Sequence, residues 1–171
     1  MFKKLKIMYI CPLYFNGRVS YDAFFSDIVM IDWQLRFINH INNLGHKVFV
    51  KQHPESETKM PGFFFDELGC KNIVGPFEKV YKKADILLAD FPGSSAFGYA
   101  LETDKPIIYI DFGIRPLYPN EYKSLKKRCY IVKGSTNRDN RLIVDWRDFS
   151  NAFSSAHLLN DRTYLEKILG L

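Results

Sequence analysis

The residues Asp90-Phe91-Pro92-Gly93-Ser94-Ser95 join an apolar run at 85–89 to a stretch of helical composition at 96–103. A strand running into a helix here would leave first-turn N–H groups without intrahelical partners and turn the positive end of the helix dipole outward. Phosphate oxygens suit such a site, with Gly93 admitting close backbone approach and the hydroxyls of Ser94 and Ser95 adding donors. The same residues also suit an ordinary N-cap, in which Ser94 or Ser95 only closes the helix start.

Two further side chains could extend that chemistry. His53 stands in Lys51-Gln52-His53-Pro54 at the end of an apolar run. There its imidazole could donate to a phosphate and stabilise charge developing on a leaving group; the alternative is a partly exposed loop histidine. Glu102 follows Ser95 by seven residues. That is about two helical turns on the same face, where a carboxylate can accept paired hydrogen bonds from vicinal ribose hydroxyls. The alternative is a surface acid near a helix end. Asp90 is expected to cap the turn or orient the serines rather than to react. Period-two alternation sends Lys51 to the opposite side of its strand from Gln52, and it is expected to be solvated.

Several other chemistries lack their motifs. Gly93 and Gly98 do not make the Gly-x-Gly-x-x-Gly dinucleotide fingerprint, and no Gly-x-x-x-x-Gly-Lys-Ser/Thr loop occurs. Dehydrogenase and P-loop readings are therefore disfavoured. No His-Glu-x-x-His or Gly-x-Ser-x-Gly is present, so neither a zinc hydrolase nor a serine hydrolase is expected, and no metal site is.

The elements that must position these residues are read from periodicity. Short apolar runs at 5–11, 48–50, 85–90 and 107–111 have the pattern of strands buried on both faces of a parallel sheet. Ile28, Ile31, Leu35, Ile38 and Ile41 recur at helical spacing, and Gly45 closes that helix. Pro54 is expected to open a loop, followed by a short helix at 63–68, a small strand at 72–74 and a helix at 78–83. Beyond 111 the pattern is less regular as far as Tyr130-Ile131-Val132, and 146–171 read as two amphipathic helices parted near Asn160-Asp161. Phe63-Phe64-Phe65 are expected in core or interface. Alternating strands and helices predict an α/β fold, a Rossmann-like three-layer domain with a mainly parallel sheet. Ligands of such sheets bind beyond the strands' carboxyl ends, and the polar clusters singled out above fall there.

The chain has 171 residues, 47% hydrophobic and 25% charged, which suits a single domain spanning 1–171 and argues against disorder. Cys11, Cys70 and Cys129 are widely spaced, odd in number and without a Cys-x-x-Cys pair, as expected of reduced thiols in a cytosol. Pro12 interrupts the first apolar run early and no stretch approaches the ~20 apolar residues of a membrane span, so a cytoplasmic protein is expected. A net charge of +5 and a pI near 9.0 suit an anionic ligand, an anionic membrane surface or nucleic acid. No nucleic-acid motif supports the last, and the Lys126-Lys127-Arg128 cluster is expected to be solvated.

Taken together, Lys51-Gln52-His53-Pro54, then 84–90 with Ser94-Ser95, then Glu102-Thr103-Asp104-Lys105-Pro106-Ile107-Ile108, resemble the donor-binding, C-terminal half of GT-B transferases. The nearest likeness is to CDP-glycerol glycerophosphotransferases and related capsule-polysaccharide enzymes, over roughly residues 7–111. The resemblance implicates His53, Ser94 and Ser95 in holding the phosphates of a CDP- or UDP-linked donor, and Glu102 in holding its ribose. It implies no cofactor or metal. Arg18 matches only loosely the Pro-Thr-x-Arg segment of the teichoic-acid enzymes. GT-B enzymes react in a cleft between two Rossmann-like domains, and this length holds one. The resemblance therefore implies a fragment, or one subunit of a split transferase whose partner brings the acceptor, with peripheral association at the inner face of the membrane open to it. Other expectations are a non-catalytic nucleotide-binding subunit and a remnant of a sugar-nucleotide epimerase.

Overall fold

The computed structural model describes residues 4–14, 25–59 and 63–161. Seven strands form one sheet: β1 (Lys6–Ile10), β2 (Lys47–Lys51), β3 (Lys71–Asn72), β4 (Ile86–Ala89), β5 (Ile107–Asp111), β6 (Tyr130–Thr136) and β7 (Leu142–Val144). Their order is β3-β2-β1-β4-β5-β6-β7. All pairs are parallel except β6 with β7. The first six strands follow the doubly wound order of Rossmann folds, which reverses direction between β1 and β4.

Strand alternation divides the core. Ile7, Tyr9 and Cys11 of the first strand and its exit face one side, where α1 (Asp27–Asn43) and α7 (Trp146–Ser155) pack. Met8 and Ile10 face the other, under α4 (Phe77–Val80), α5 (Ser95–Glu102) and α6 (Pro119–Arg128). The central strands are apolar on both faces because helices cover both, as the sequence predicts. Each fully buried side chain of the Ile or Leu class contributes about 1.5–3 kcal/mol relative to exposure. The α/β, three-layer expectation holds.

Several local expectations shift. Helix α1 ends as expected, with Gly45 at a φ of 83°, but it buries Met30, Trp33, Gln34, Phe37, Ile38 and Ile41, whereas Ile28 is 79% exposed. Aromatic bulk at 33 and 37 fills the space over β1, and this rotates the inward stripe away from Ile28. Pro54 does not open a loop. It starts α2 (Pro54–Lys59), where its missing N–H costs nothing at the first helical position. The less regular stretch contains α6, and the antiparallel β7 follows β6 beyond it. Helix α6 is highly charged and carries little apolar periodicity, so tertiary contacts define it together with the Glu121 carboxylate, which accepts from Tyr118 N at 3.1 Å at its start. Phe65 is buried, whereas the side chains of Phe63 and Phe64 lie outside the described residues, as do Arg18 and the second C-terminal helix expected beyond 161.

Candidate functional site

A cleft of about 560 Å³ opens over the carboxyl ends of β2, β1 and β4. It lies at the reversal of strand order, where sheets of this topology bind ligands because the adjoining loops part in opposite directions. Ile10 and Cys11 line it from β1. Lys51, Gln52 and His53 line it from β2, and the loop 74–76 with Phe77 and Glu78 closes another side. Ser94, Ser95 and Ala96 enter from the start of α5. The tertiary structure thus brings His53 and the serines, 41 residues apart from His53 to Ser94, to one cavity.

Ser94 is the N-cap of α5, with extended backbone at φ −86° and ψ 140°, and its Oγ accepts from the Phe97 amide at 3.0 Å. The capping alternative is therefore realised by Ser94. It does not exclude the anion site: the Ser95 and Ala96 amides occupy the first two helical positions, which have no intrahelical acceptor, and both residues line the cleft. Gly93 does not line it. A Cβ there would stand 2.8 Å from Phe91 Cζ and 3.4 Å from an Arg115 guanidinium nitrogen, so the glycine makes room for the folded-over Phe91 ring. Exposed Arg115, unforeseen from sequence, is brought beside this turn by the loop after β5.

His53 is half-buried and caps α2: its carbonyl accepts from Ser56 N at 2.9 Å, and its Nδ1 accepts from Glu55 N at 3.3 Å. An accepting Nδ1 places the neutral ring's hydrogen on Nε2, which makes His53 a donor. Lys51 is not solvated. It is 6% exposed, and its Nζ donates to Gln52 O at 2.7 Å in the cleft wall. Its strand is covered on both faces, so alternation moves a side chain between two buried layers rather than out to water. Gln52 shares the wall and is 2% exposed. Only their place beside His53 hinted at a role for either.

Glu102 is not brought to this cleft. It lies at the other end of α5, about 10 Å along the axis from Ser95 by helical rise. There it lines a separate hollow of about 470 Å³ with Tyr81, Lys82 and residues 103–105. Two residues on one helical face need not share a site when the helix runs away from the strand ends.

Below the turn, Asp90 is fully buried, and its Oδ2 accepts from Tyr9 OH at 2.8 Å and Trp33 Nε1 at 3.1 Å. Gln34 Nε2 donates to Tyr9 OH at 2.8 Å, Tyr14 OH donates to Gln34 Oε1, and Cys11 Sγ donates to Tyr14 OH at 3.4 Å. A continuous buried polar chain therefore links the cleft wall at Cys11 to the residue preceding the 91–95 turn. Burial pushes the Asp90 carboxyl up to about 7, and the Tyr9 and Trp33 hydrogen bonds only partly offset it. Burial also raises the Cys11 thiol to about 12. Asp90 is held by Tyr9 and Trp33 immediately before the turn and does not line the cleft.

Among the described residues no three His, Cys, Asp or Glu side chains cluster as a metal site, and no helix is long and apolar enough to cross a membrane. No protein-family model matches the chain, and no curated protein does. Among solved structures, it is similar to an imine reductase from Myxococcus stipitatus in complex with NADP+, at 12% identity and a TM-score of 0.44, over 91% of this chain and 52% of that one. It is also similar to the V8 variant of the imine reductase from the same organism in complex with NAD+, at 9% identity and a TM-score of 0.45, over 98% and 60%. The chain thus spans just over half to three-fifths of the length of these structures.

Proposed function

We propose that the chain binds a nucleoside diphosphate in the cleft at the β1/β4 reversal, as the donor-binding domain of a bacterial glycosyl- or glycerophosphotransferase of cell-surface polymer synthesis. The observation that carries this reading is the convergence in one cavity of His53 with the serine-capped start of α5. The free amides and positive dipole end of α5 receive phosphate oxygens, and the Ser95 hydroxyl adds a donor. His53 donates through Nε2 to the leaving diphosphate as charge develops on it. These groups supply charge stabilisation without a metal. A dinucleotide is the poorer fit: the exit of β1, Cys11-Pro12-Leu13, lacks the glycine fingerprint. The end of β2 also carries Lys51-Gln52-His53, where an acid would bind an adenosine ribose. The acceptor and the general base come from a second domain or subunit.

The test is calorimetric titration of CDP, UDP and CMP into the chain and into a Ser94→Ala/Ser95→Ala variant. Binding in the micromolar range that weakens about tenfold or more in the variant is the expected outcome, since each lost hydrogen bond to a charged group is worth about 1.5–3 kcal/mol. A preference for CDP favours the glycerophosphotransferase, and a preference for UDP favours a sugar transferase. Absence of binding by all three nucleotides at millimolar concentration would sink the reading.

A further inference from the structure

Gln52 at the end of β2 is 2% exposed and lines the cleft. Its Oε1 accepts from Asn72 Nδ2 at 3.3 Å, which orients the carboxamide, while its Nε2 is fully buried with no hydrogen-bond partner among the described residues. A buried amide donor gives up its bonds to water, and no group among the described residues replaces them. Such a group is explained when a ligand brings the acceptor.

Its neighbours indicate which ligand. The buried Lys51 ammonium lines the same wall beside it, and the start of α5 lines the cleft from β4. Strand β1 lies between β2 and β4, so these two sets of donors flank its end. Strand ends two apart in a sheet stand about 10 Å from one another. Charge-assisted hydrogen bonds of about 2.8 Å on either side leave roughly 4 Å between the two accepting oxygens, more than the oxygen-to-oxygen width of one phosphate and suited to two linked phosphates.

We propose that Gln52 is a specificity-determining residue that reads the second phosphate of a diphosphate: its Nε2 donates to one phosphate while the other occupies the start of α5. This rests on the nucleotide reading above and deepens it, since it makes the cleft discriminate diphosphates from monophosphates.

Titration of CDP, CMP and inorganic pyrophosphate into the wild-type chain, Gln52→Met and Gln52→Glu tests it, with the thermal midpoint of each ligand-free protein measured alongside. The wild type is expected to prefer CDP to CMP by about tenfold, the worth of one charge-assisted hydrogen bond. Gln52→Met should remove most of that preference, weakening CDP about tenfold and CMP less than twofold. Its ligand-free midpoint should fall by no more than the loss of the long 3.3 Å bond from Asn72 accounts for, because the deleted Nε2 had no partner among the described residues. Gln52→Glu keeps the acceptor for Asn72 and turns only the free end into an acceptor, so it should weaken CDP further. Equal losses for CDP and CMP would overturn the inference, as would unchanged affinities with a lowered midpoint. If pyrophosphate binds in a Gln52-dependent way and no nucleotide does, the nucleotide reading fails and the Gln52 assignment stands. If nothing binds, both fall.

Discussion

Asp90 stands next to the cleft in sequence but does not face it. Its carboxylate lies fully buried under the 91–95 turn, and burial holds its pKa at about 7, above the ordinary 3.8. The sign of the consequence follows from proton counting. Between about pH 4 and 7 the unfolded chain is ionised at this position and the folded chain is protonated, so the folded state binds more protons. Its contribution therefore falls as pH rises across that window, and above it the folded chain bears the full cost of a buried charge. Asp90→Asn keeps an acceptor for Tyr9 OH and Trp33 Nε1 and cannot ionise. The stability of this variant relative to wild type is expected to rise between pH 4 and 7 by as much as roughly 4 kcal/mol, at 1.36 kcal/mol per pKa unit. Urea titrations of both proteins at several pH values measure it, and a flat difference would mean that Asp90 is charged throughout. The residue's place next to a glycine turn was legible in sequence, but its isolation from the cleft was not, because the donors that hold it come from β1 and α1.

At the scale of elements, α5 depends on a residue outside it. Arg128, the last residue of α6, is 2% exposed and donates to Leu101 O at 2.8 Å, Thr103 O at 2.7 Å, Lys105 O at 2.9 Å and Ala100 O at 3.3 Å. It therefore caps the carboxyl end of the helix whose other end lines the cleft. In sequence it is the third member of a basic cluster expected to be solvated, and the correction is physical. The last carbonyls of a helix need donors, and a planar guanidinium can serve several of them at once. Arg128→Met should cost about 3 kcal/mol in chemical denaturation with little change in m-value, because the carbonyls of Leu101, Thr103 and Lys105 lose the charged donor that serves them. Arg128→Lys should recover little of it, since a point ammonium cannot reproduce the fork. Full recovery by lysine would reduce the role of Arg128 to its charge.

For the whole molecule, the doubly wound sheet hides its chemistry-bearing sulfurs. Cys11, Cys70 and Cys129 are free and between 1% and 8% exposed, and burial raises each thiol to about 12. The reactive species is the thiolate, which is scarce at neutral pH under these conditions. The folded chain should react very slowly with a disulfide reagent, and unfolding should release all three thiols together. Rapid release of one from native protein would show that the region around it opens locally. At the same scale the sheet order decides where the cleft lies, because the reversal between β1 and β4 parts the loops that form it.

The sequence by itself determined the α/β class, the four central strands and the strand-to-helix turn that ends in Ser94 and Ser95. Each of these is a local pattern, apolar runs bounded by turn chemistry, and local patterns survive without knowledge of the fold. Helix α6 and strand β7 escaped because their stability comes from contacts rather than periodicity. Only the tertiary structure decided that His53 and the serines share a cavity, that Glu102 belongs to another hollow, and that Lys51 and Gln52 are buried in the cleft wall. Those relations depend on which strands are neighbours and which faces are covered, and pairing across 40 residues of chain is set by the packing of the whole sheet.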